Sequence, residues 1–351
     1  MSRHIAGRPP AGILYIATAA FVFALWVWGA DTVSTSFNGD PRSTLAALID
    51  GTASRPFVQR ALVPFLTRTI TGAVPEPARA WLTGALMGSA KFRKEAGRLG
   101  WDTTRLPDYC VALLIALASL AAFPFVLRSL FRTLYETDAA IADLLPCAVL
   151  LGLPPFFAVG THYVYDFPAL LLFTALVLLV VRQEWRVFYP LYAISCFNKE
   201  TTVLIALATV LIWRGLMPAR RLVPHVVAQV LISGAAGAAL MFAFRDNPGA
   251  SLEFHLYGNI HNLLLPYSLE GACLAVFLGV LVFHDFPRKH PVLRSCAWLI
   301  VPFGLLMFAC AWMSEARDMY EIYPLFALLM AHTLLFTWGK RPYTLRPLAS
   351  R

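Results

Sequence analysis

Asp31 and Asp40, Arg60, the pair His162 and Asp166, the run Asn198-Lys199-Glu200, and the group Glu315, Arg317 and Glu321 are the side chains best suited to chemistry in this sequence. They are far apart along the chain, yet each stands beside the end of an apolar run. Either aspartate could act as a base toward a hydroxyl. Arg60, Lys199 and Arg317 could neutralise a phosphate, the arginines through a planar fork of donors. Asp166, Glu200, Glu315 and Glu321 could hold those cations in place. His162 lies four residues before Asp166, so the two would share a side if a helix began early. No third ligand follows at a recognisable interval, so no metal is assigned to His162.

Each position also has a purely structural explanation. Asp40 sits in Asn38-Gly39-Asp40-Pro41, a composition that stabilises turns, and Asp31 can simply mark a helix terminus. Arg60 can snorkel from a surface helix. Asp166 precedes Phe167-Pro168, where an N-cap is expected. Arg317 and Glu321, four apart, can pair along a helix. Lys199 and Glu200 carry the sharpest signal, because Ile194-Ser195-Cys196-Phe197 and Val203-Leu204-Ile205 flank them and charge is expensive in hydrocarbon. A local ion pair or a cap from Asn198 is the alternative there. His255, Tyr257 and His261 read as ordinary interfacial residues.

The elements that must position these groups follow from composition. The 351 residues are 58% hydrophobic and 14% charged, whereas a soluble domain carries about 25% charge. A polytopic membrane protein is therefore expected, and disorder, coiled coil and DNA-binding modules are excluded as the main architecture. The net charge of +9 is spread between apolar runs instead of forming one stripe, so no nucleic-acid partner is implied. Of six cysteines, Cys147, Cys273, Cys296 and Cys310 fall inside apolar stretches and read as reduced thiols; Cys110 and Cys196 are the one pair placed for a disulfide.

Apolar windows predict about ten spans, near 12–29, 109–128, 139–159, 167–181, 187–197, 201–213, 222–244, 269–284, 295–313 and 319–338. The first is read as a retained helix, since Trp26 and Trp28 end its run and no small-residue cleavage site follows. With the N-terminus cytoplasmic, every inner segment is basic, including Arg128 and Arg132, Arg182 and Arg186, and Arg214, Arg220 and Arg221. The short outer segments carry only Lys199, Arg245 and Arg317. Reading 187–213 as one helix would invert this pattern downstream, so two short helices meeting at Asn198-Lys199-Glu200 are preferred, with a cavity opening outward around the buried charges. Both termini are then cytoplasmic. A single integral membrane domain, 1–351, carries a long first exoplasmic loop, 30–108, with surface helices at 57–71 and 77–98. The fold class is all-α, a polytopic helical bundle.

With these pieces in place the chain resembles the GT-C class of membrane glycosyltransferases. The likeness rests on Asn38-Gly39-Asp40-Pro41, Arg55-Pro56-Phe57-Val58-Gln59-Arg60-Ala61-Leu62-Val63-Pro64, Tyr165-Asp166-Phe167-Pro168, Phe197-Asn198-Lys199-Glu200-Thr201 and Glu315-Ala316-Arg317, which look like stretches of uncharacterised bacterial members. The resemblance implies a sugar donor linked to a polyprenyl phosphate or diphosphate in the outer leaflet, and a glycan, lipid or protein acceptor arriving from water. It implies an acidic residue of the first outer loop acting on the acceptor, with Asp40 first and Asp31 second. It places the protein among membrane lipids of the bacterial inner membrane, in cell-envelope polysaccharide biosynthesis. No cofactor is required, and a divalent cation is optional because Arg60, Lys199 and Arg317 could neutralise the phosphate unaided. Two departures stand out: the loop has no adjacent acidic pair or Asp-x-Asp, and the chain as read carries no large soluble C-terminal domain. A transporter or lipid flippase, and a non-catalytic partner in polysaccharide assembly, are the competing expectations.

Overall fold

A computed structural model describes residues 11–29, 36–158, 161–263, 269–312 and 315–348. Helix accounts for 75% of the structure and strand for 1%. The helices are α1 Ala11–Trp28, α2 Leu45–Asp50, α3 Leu62–Ala73, α4 Glu76–Gly88, α5 Ala90–Arg98, α6 Leu106–Leu134, α7 Ala139–Leu151, α8 Pro154–Phe157, α9 Asp166–Arg182, α10 Trp185–Cys196, α11 Leu204–Trp213, α12 Ala219–Ala243, α13 Leu256–Leu263, α14 Leu269–Phe283, α15 Pro291–Ala297, α16 Ile300–Cys310 and α17 Tyr323–His332. A π-helical turn, Thr333–Trp338, extends α17.

Among the described residues, five helical stretches are long and apolar enough to cross a membrane: Ala11–Trp28, Thr103–Leu134, Ala139–Phe157, Ala219–Ala243 and Pro291–Cys310. Their outer faces are apolar too. α12 buries little beyond Gln229 and Ala236 and exposes Val223, Val227, Val230, Leu231, Met241 and Phe242, a surface suited to hydrocarbon and not to water. The spine is α6, 29 residues long and packed most extensively on α9, with α1, α3 and α7 around it.

Asp166–Arg182 sets the geometry of the molecule. Gln183 closes it in a left-handed conformation, its backbone N–H donating to Leu179 and Val180 carbonyls, and the chain reverses into α10. α10 climbs back until Asn198 donates to the Tyr165 carbonyl (3.1 Å) at the head of α9. There the chain breaks at Phe197–Lys199, makes a 3-10 turn over Glu200–Val203 and descends as α11, whose Trp213 Nε1 donates to Val180 O (3.1 Å) at the foot of α9. The expected pair of short helices is therefore present. Its tip is tied by Thr202 Oγ1 donating to Ser195 O (3.1 Å) and by the Ser195–Thr202 hydroxyl contact (3.0 Å), so the irregular backbone is satisfied inside the protein.

Several boundaries differ from the expectation. The 57–71 helix begins only at Leu62: Phe57–Gln59 is a 3-10 turn and Arg60 is non-helical. α3 turns Thr67 and Thr71 inward and leaves Phe65 and Ile70 outside, the arrangement of a helix whose apolar stripe faces lipid. The 77–98 helix is split by Ser89, whose hydroxyl accepts from Phe92 N–H (3.3 Å) and starts α5. Runs 139–159 and 295–313 are interrupted at Gly152–Leu153 and at Trp298–Leu299. α2 and α13 were not anticipated. Cys110 and Cys196 are both free.

Candidate active site

At the head of α9 the irregular segments from every part of the chain meet around a cavity of about 630 Å³. Its wall is built on an aromatic stack. Tyr163 lies nearly parallel to both Tyr165 (ring centroids 5.0 Å) and Phe57 (5.7 Å). Three guanidinium groups sit over these rings: Arg42 over Phe57 (5.3 Å), Arg60 over Tyr165 (4.9 Å) and Arg317 over Tyr163 (4.4 Å). Cation–π attraction and the stack together fix where the charges stand.

Arg60 is fully engaged. Its Nη2 and Nε donate to the two Glu200 carboxylate oxygens (2.7 and 3.2 Å), and Nη1 donates to the Tyr165 hydroxyl (2.6 Å). The non-helical turn at Arg60 directs the side chain into the wall, which replaces the snorkelling expected of a surface arginine. One residue behind the wall, buried Lys199 pairs with buried Glu321 (3.0 Å) and approaches Asp318 (3.7 Å), while Thr201 donates to Glu321 (2.6 Å). Glu321 thus pairs with Lys199 and not with Arg317.

Arg317 is different. It is 5% exposed and lines the cavity, Nη2 donates to Glu315, and Nε and Nη1 have no hydrogen-bond partner among the described residues. Burial works against its charge, but Asp318, Asp166 and Glu315 more than offset this, so the group stays protonated. Two buried charged donors left open are costly unless something else meets them.

Asp40 forms the rim. Its carboxylate accepts from the Arg42 backbone N–H (2.9 Å), Nε (3.1 Å) and Nη2 (2.8 Å), and Arg42 Nη1 reaches Glu253 (2.5 Å), which also contacts His255 (3.3 Å). Burial alone would raise the Asp40 carboxyl; the hydrogen bonds from Arg42, with help from its charge and that of Arg317, outweigh it and hold the group below the usual range. Asp40 is therefore ionised at neutral pH.

Asp40, Arg60, Glu200, Glu315 and Arg317 line the cavity, and Lys199 and Glu321 stand behind it. Asp166 is buried within the same electrostatic neighbourhood as Arg317 and Lys199, but it occupies the first helical turn of α9 without capping it. The expected N-cap is absent because the helix starts at Asp166 itself. His162 faces away from the cavity: it stacks on Trp26 (5.6 Å) and its Nε2 meets the Phe157 carbonyl (2.8 Å). Burial lowers its pKa and keeps it neutral, so it is a packing residue here, not part of the wall. α9 begins too late for His162 and Asp166 to share a helical face. Asp31 lies outside the described residues.

Phe57, Tyr163, Arg42, Glu253 and His255 also belong to the wall; the sequence reading takes none of them as a site residue and reads His255 as an ordinary interfacial one. Only Tyr163-x-Tyr165 left a signal, two aromatics on one side of a short extended segment between apolar runs. Among the described residues no three His, Cys, Asp or Glu side chains gather as metal ligands. The lining holds Asp40, Glu200, Glu253, Glu315 and Asp318 against Arg42, Arg60 and Arg317, a surplus of two carboxylates.

The opposite wall is apolar. Val230, Gly234, Gly237, Leu240 and Met241 of α12 line the cavity, so a helix with an apolar, exposed surface borders it. Comparison with protein families, with curated proteins and with solved structures finds no match for this chain.

Proposed function

We propose that the protein is a GT-C-like membrane glycosyltransferase that moves a sugar from a polyprenyl-phosphate-type donor to an acceptor hydroxyl. The reading rests on the cavity's two kinds of wall: a buried arginine among carboxylates on one part of it, and the apolar helix α12 along another. A lipid phosphate needs both at once. Its phosphate would meet the guanidinium of Arg317, and its isoprenoid chain would leave past Val230 and Met241. The surplus carboxylates suit the hydroxyls of a sugar, which donate hydrogen bonds.

In the transfer, the acceptor oxygen attacks the anomeric carbon, and the bond from that carbon to the phosphate oxygen breaks with its electron pair leaving on phosphate. Arg317 stabilises the charge that accumulates there, usually the largest contribution in such reactions. Asp40 accepts the hydrogen bond of the acceptor hydroxyl and takes its proton. A carboxylate with a lowered pKa is a weak base, so this proton moves late, once bond formation has made the hydroxyl acidic.

In this reading α1, α6, α7 with α8, α9, α10, α11, α12, α14, α15 with α16, and α17 make ten passes. The basic segments then face the cytoplasm, with both termini, and the cavity faces the exterior of the inner membrane.

A flippase is the second reading, favoured by the half-length helices α10 and α11 meeting at a buried lysine, since transporters use interrupted helices at their sites. Asp40→Asn separates the two in proteoliposomes holding a polyprenyl-phosphate sugar. A transferase loses product formation by about 100-fold or more while keeping donor binding. A flippase translocates the lipid at the unchanged rate, and normal product formation by the variant removes Asp40 from the mechanism.

A further inference from the structure

At the foot of α9, 17 residues and about 25 Å from the candidate active site, a second cavity of about 500 Å³ is lined by four arginines, Arg128, Arg132, Arg182 and Arg346. Among the described residues no carboxylate lines it. Arg128 is paired with Asp143 (2.6 Å), and Arg182 makes a longer ion pair with Glu184 (3.8 Å). Arg182 is also held by neutral groups: its Nη2 donates to Ser129 Oγ (2.7 Å) and to Thr133 Oγ1 (3.1 Å). These hydroxyls fix the guanidinium in the wall.

Basic residues at helix C-termini are ordinary, because they meet the negative end of the helix dipole and mark topology. Arg346 is not explained that way. It arrives from the far end of the chain, where Thr344–Leu345 pairs as a strand with Tyr135–Glu136, its N–H donates to Leu134 O (3.0 Å), and its carbonyl meets His290 Nε2 (2.9 Å). A folded-back segment is thus ordered in a position that brings a fourth like charge against three others. With Asp143 and Glu184 each pairing one of the four, Arg132 and Arg346 remain without a carboxylate partner among the described residues, and an anion in the cavity would offset their repulsion. The lip adds a second clue: Phe125, held edge-on by Tyr15 (5.0 Å), is exposed on the apolar side of the pocket.

We propose that this pocket binds a phosphate group, with the four guanidinium groups and the two hydroxyls around its oxygens. The site is separate from the candidate active site and does not depend on the reading of it. Anionic phospholipid is one source, its chains lying along Phe125; free phosphate is the other.

Native mass spectrometry of the purified full chain, delipidated and then offered phosphatidylglycerol, phosphatidylcholine or inorganic phosphate, tests this. The expected result is a retained adduct with phosphatidylglycerol or with phosphate, the two arms naming the source, and phosphatidylcholine at least tenfold weaker than phosphatidylglycerol when the lipid is the ligand. Arg132→Gln with Arg346→Gln, both exposed, should weaken the adduct at least tenfold at unchanged melting temperature. Arg214→Gln with Arg341→Gln, basic residues outside the pocket, should leave it intact. No adduct in either arm, or equal weakening by both pairs of substitutions, overturns the proposal. Should the first pair fail to fold, Ser129→Ala with Thr133→Ala replaces it, and an undiminished adduct there overturns it as well.

Discussion

Lys199 and Glu321 are buried together, and the energetics of such a pair are asymmetric. Removing one partner strands the other charge, which typically costs about 3–5 kcal/mol, while replacing both with apolar groups is often neutral. Lys199→Met should therefore lower the thermal stability of the purified protein sharply, and Lys199→Met with Glu321→Leu should recover most of the loss; a double variant as unstable as the single one would show that Thr201 and Asp318 dominate the site. Asp40 gives a pH test. Its folded-state pKa is depressed, so its interaction with Arg42 stabilises above the unfolded pKa of about 3.9 and is lost as pH falls through the folded value. The stability difference between the native protein and Asp40→Asn should be flat from pH 5 to 8 and shrink below pH 4; a difference that shrinks nearer neutrality contradicts an ionised Asp40. At this scale the sequence was readable where charge stood in apolar surroundings, as at Lys199, Glu200 and Arg317. It was not readable where partners are distant: Arg42 and Glu253 lie 211 residues apart, and the Phe57–Tyr163 stack exists only in three dimensions. His162 was misread because its relation to Asp166 turned on one uncertain helix start.

Among the elements, the α10–α11 tip was legible because hydrocarbon tolerates Asn-Lys-Glu only within protein, and the resulting helix pair is short enough to reverse. The stretch 57–71 was misjudged for a related reason: its apolar spacing continues through Phe57, but the backbone leaves helical geometry at Arg60 to deliver a guanidinium. α12 provides the sharpest test. Gly234 and Gly237 face the cavity, and a Cβ at either meets nothing within 4 Å. Replacing glycine in a helix interior gains roughly 0.5–1 kcal/mol in propensity. Gly234→Leu with Gly237→Leu should thus melt no lower than the native protein while reducing polyprenyl-phosphate binding at least tenfold. Unchanged lipid binding would place the chain outside this cavity.

For the molecule as a whole, α9 separates two unlike ends, a carboxylate-rich cavity at Asp166 and an arginine cluster at Arg182. Composition already pointed to a membrane protein, because the bilayer acts as solvent, while the sidedness of the loops is what their charges lead one to expect. Which loops converge could not be read, because packing of α6 on α9 decides it. The orientation can be measured with Asp246→Cys and Arg214→Cys in a background carrying Cys273→Ser: an impermeant maleimide added to intact cells should label position 246 and spare 214, and the reverse pattern would invert the protein. The central claim is that Arg317 receives the phosphate of a lipid-linked donor. Its most direct test is equilibrium binding of a polyprenyl phosphate to the purified protein in phosphatidylcholine nanodiscs. The native protein should bind saturably and Arg317→Gln, folded to the same melting temperature, about 10- to 100-fold more weakly, the value of one or two hydrogen bonds to a charged group. Equal affinity in the two proteins, or no saturable binding in either, would contradict it.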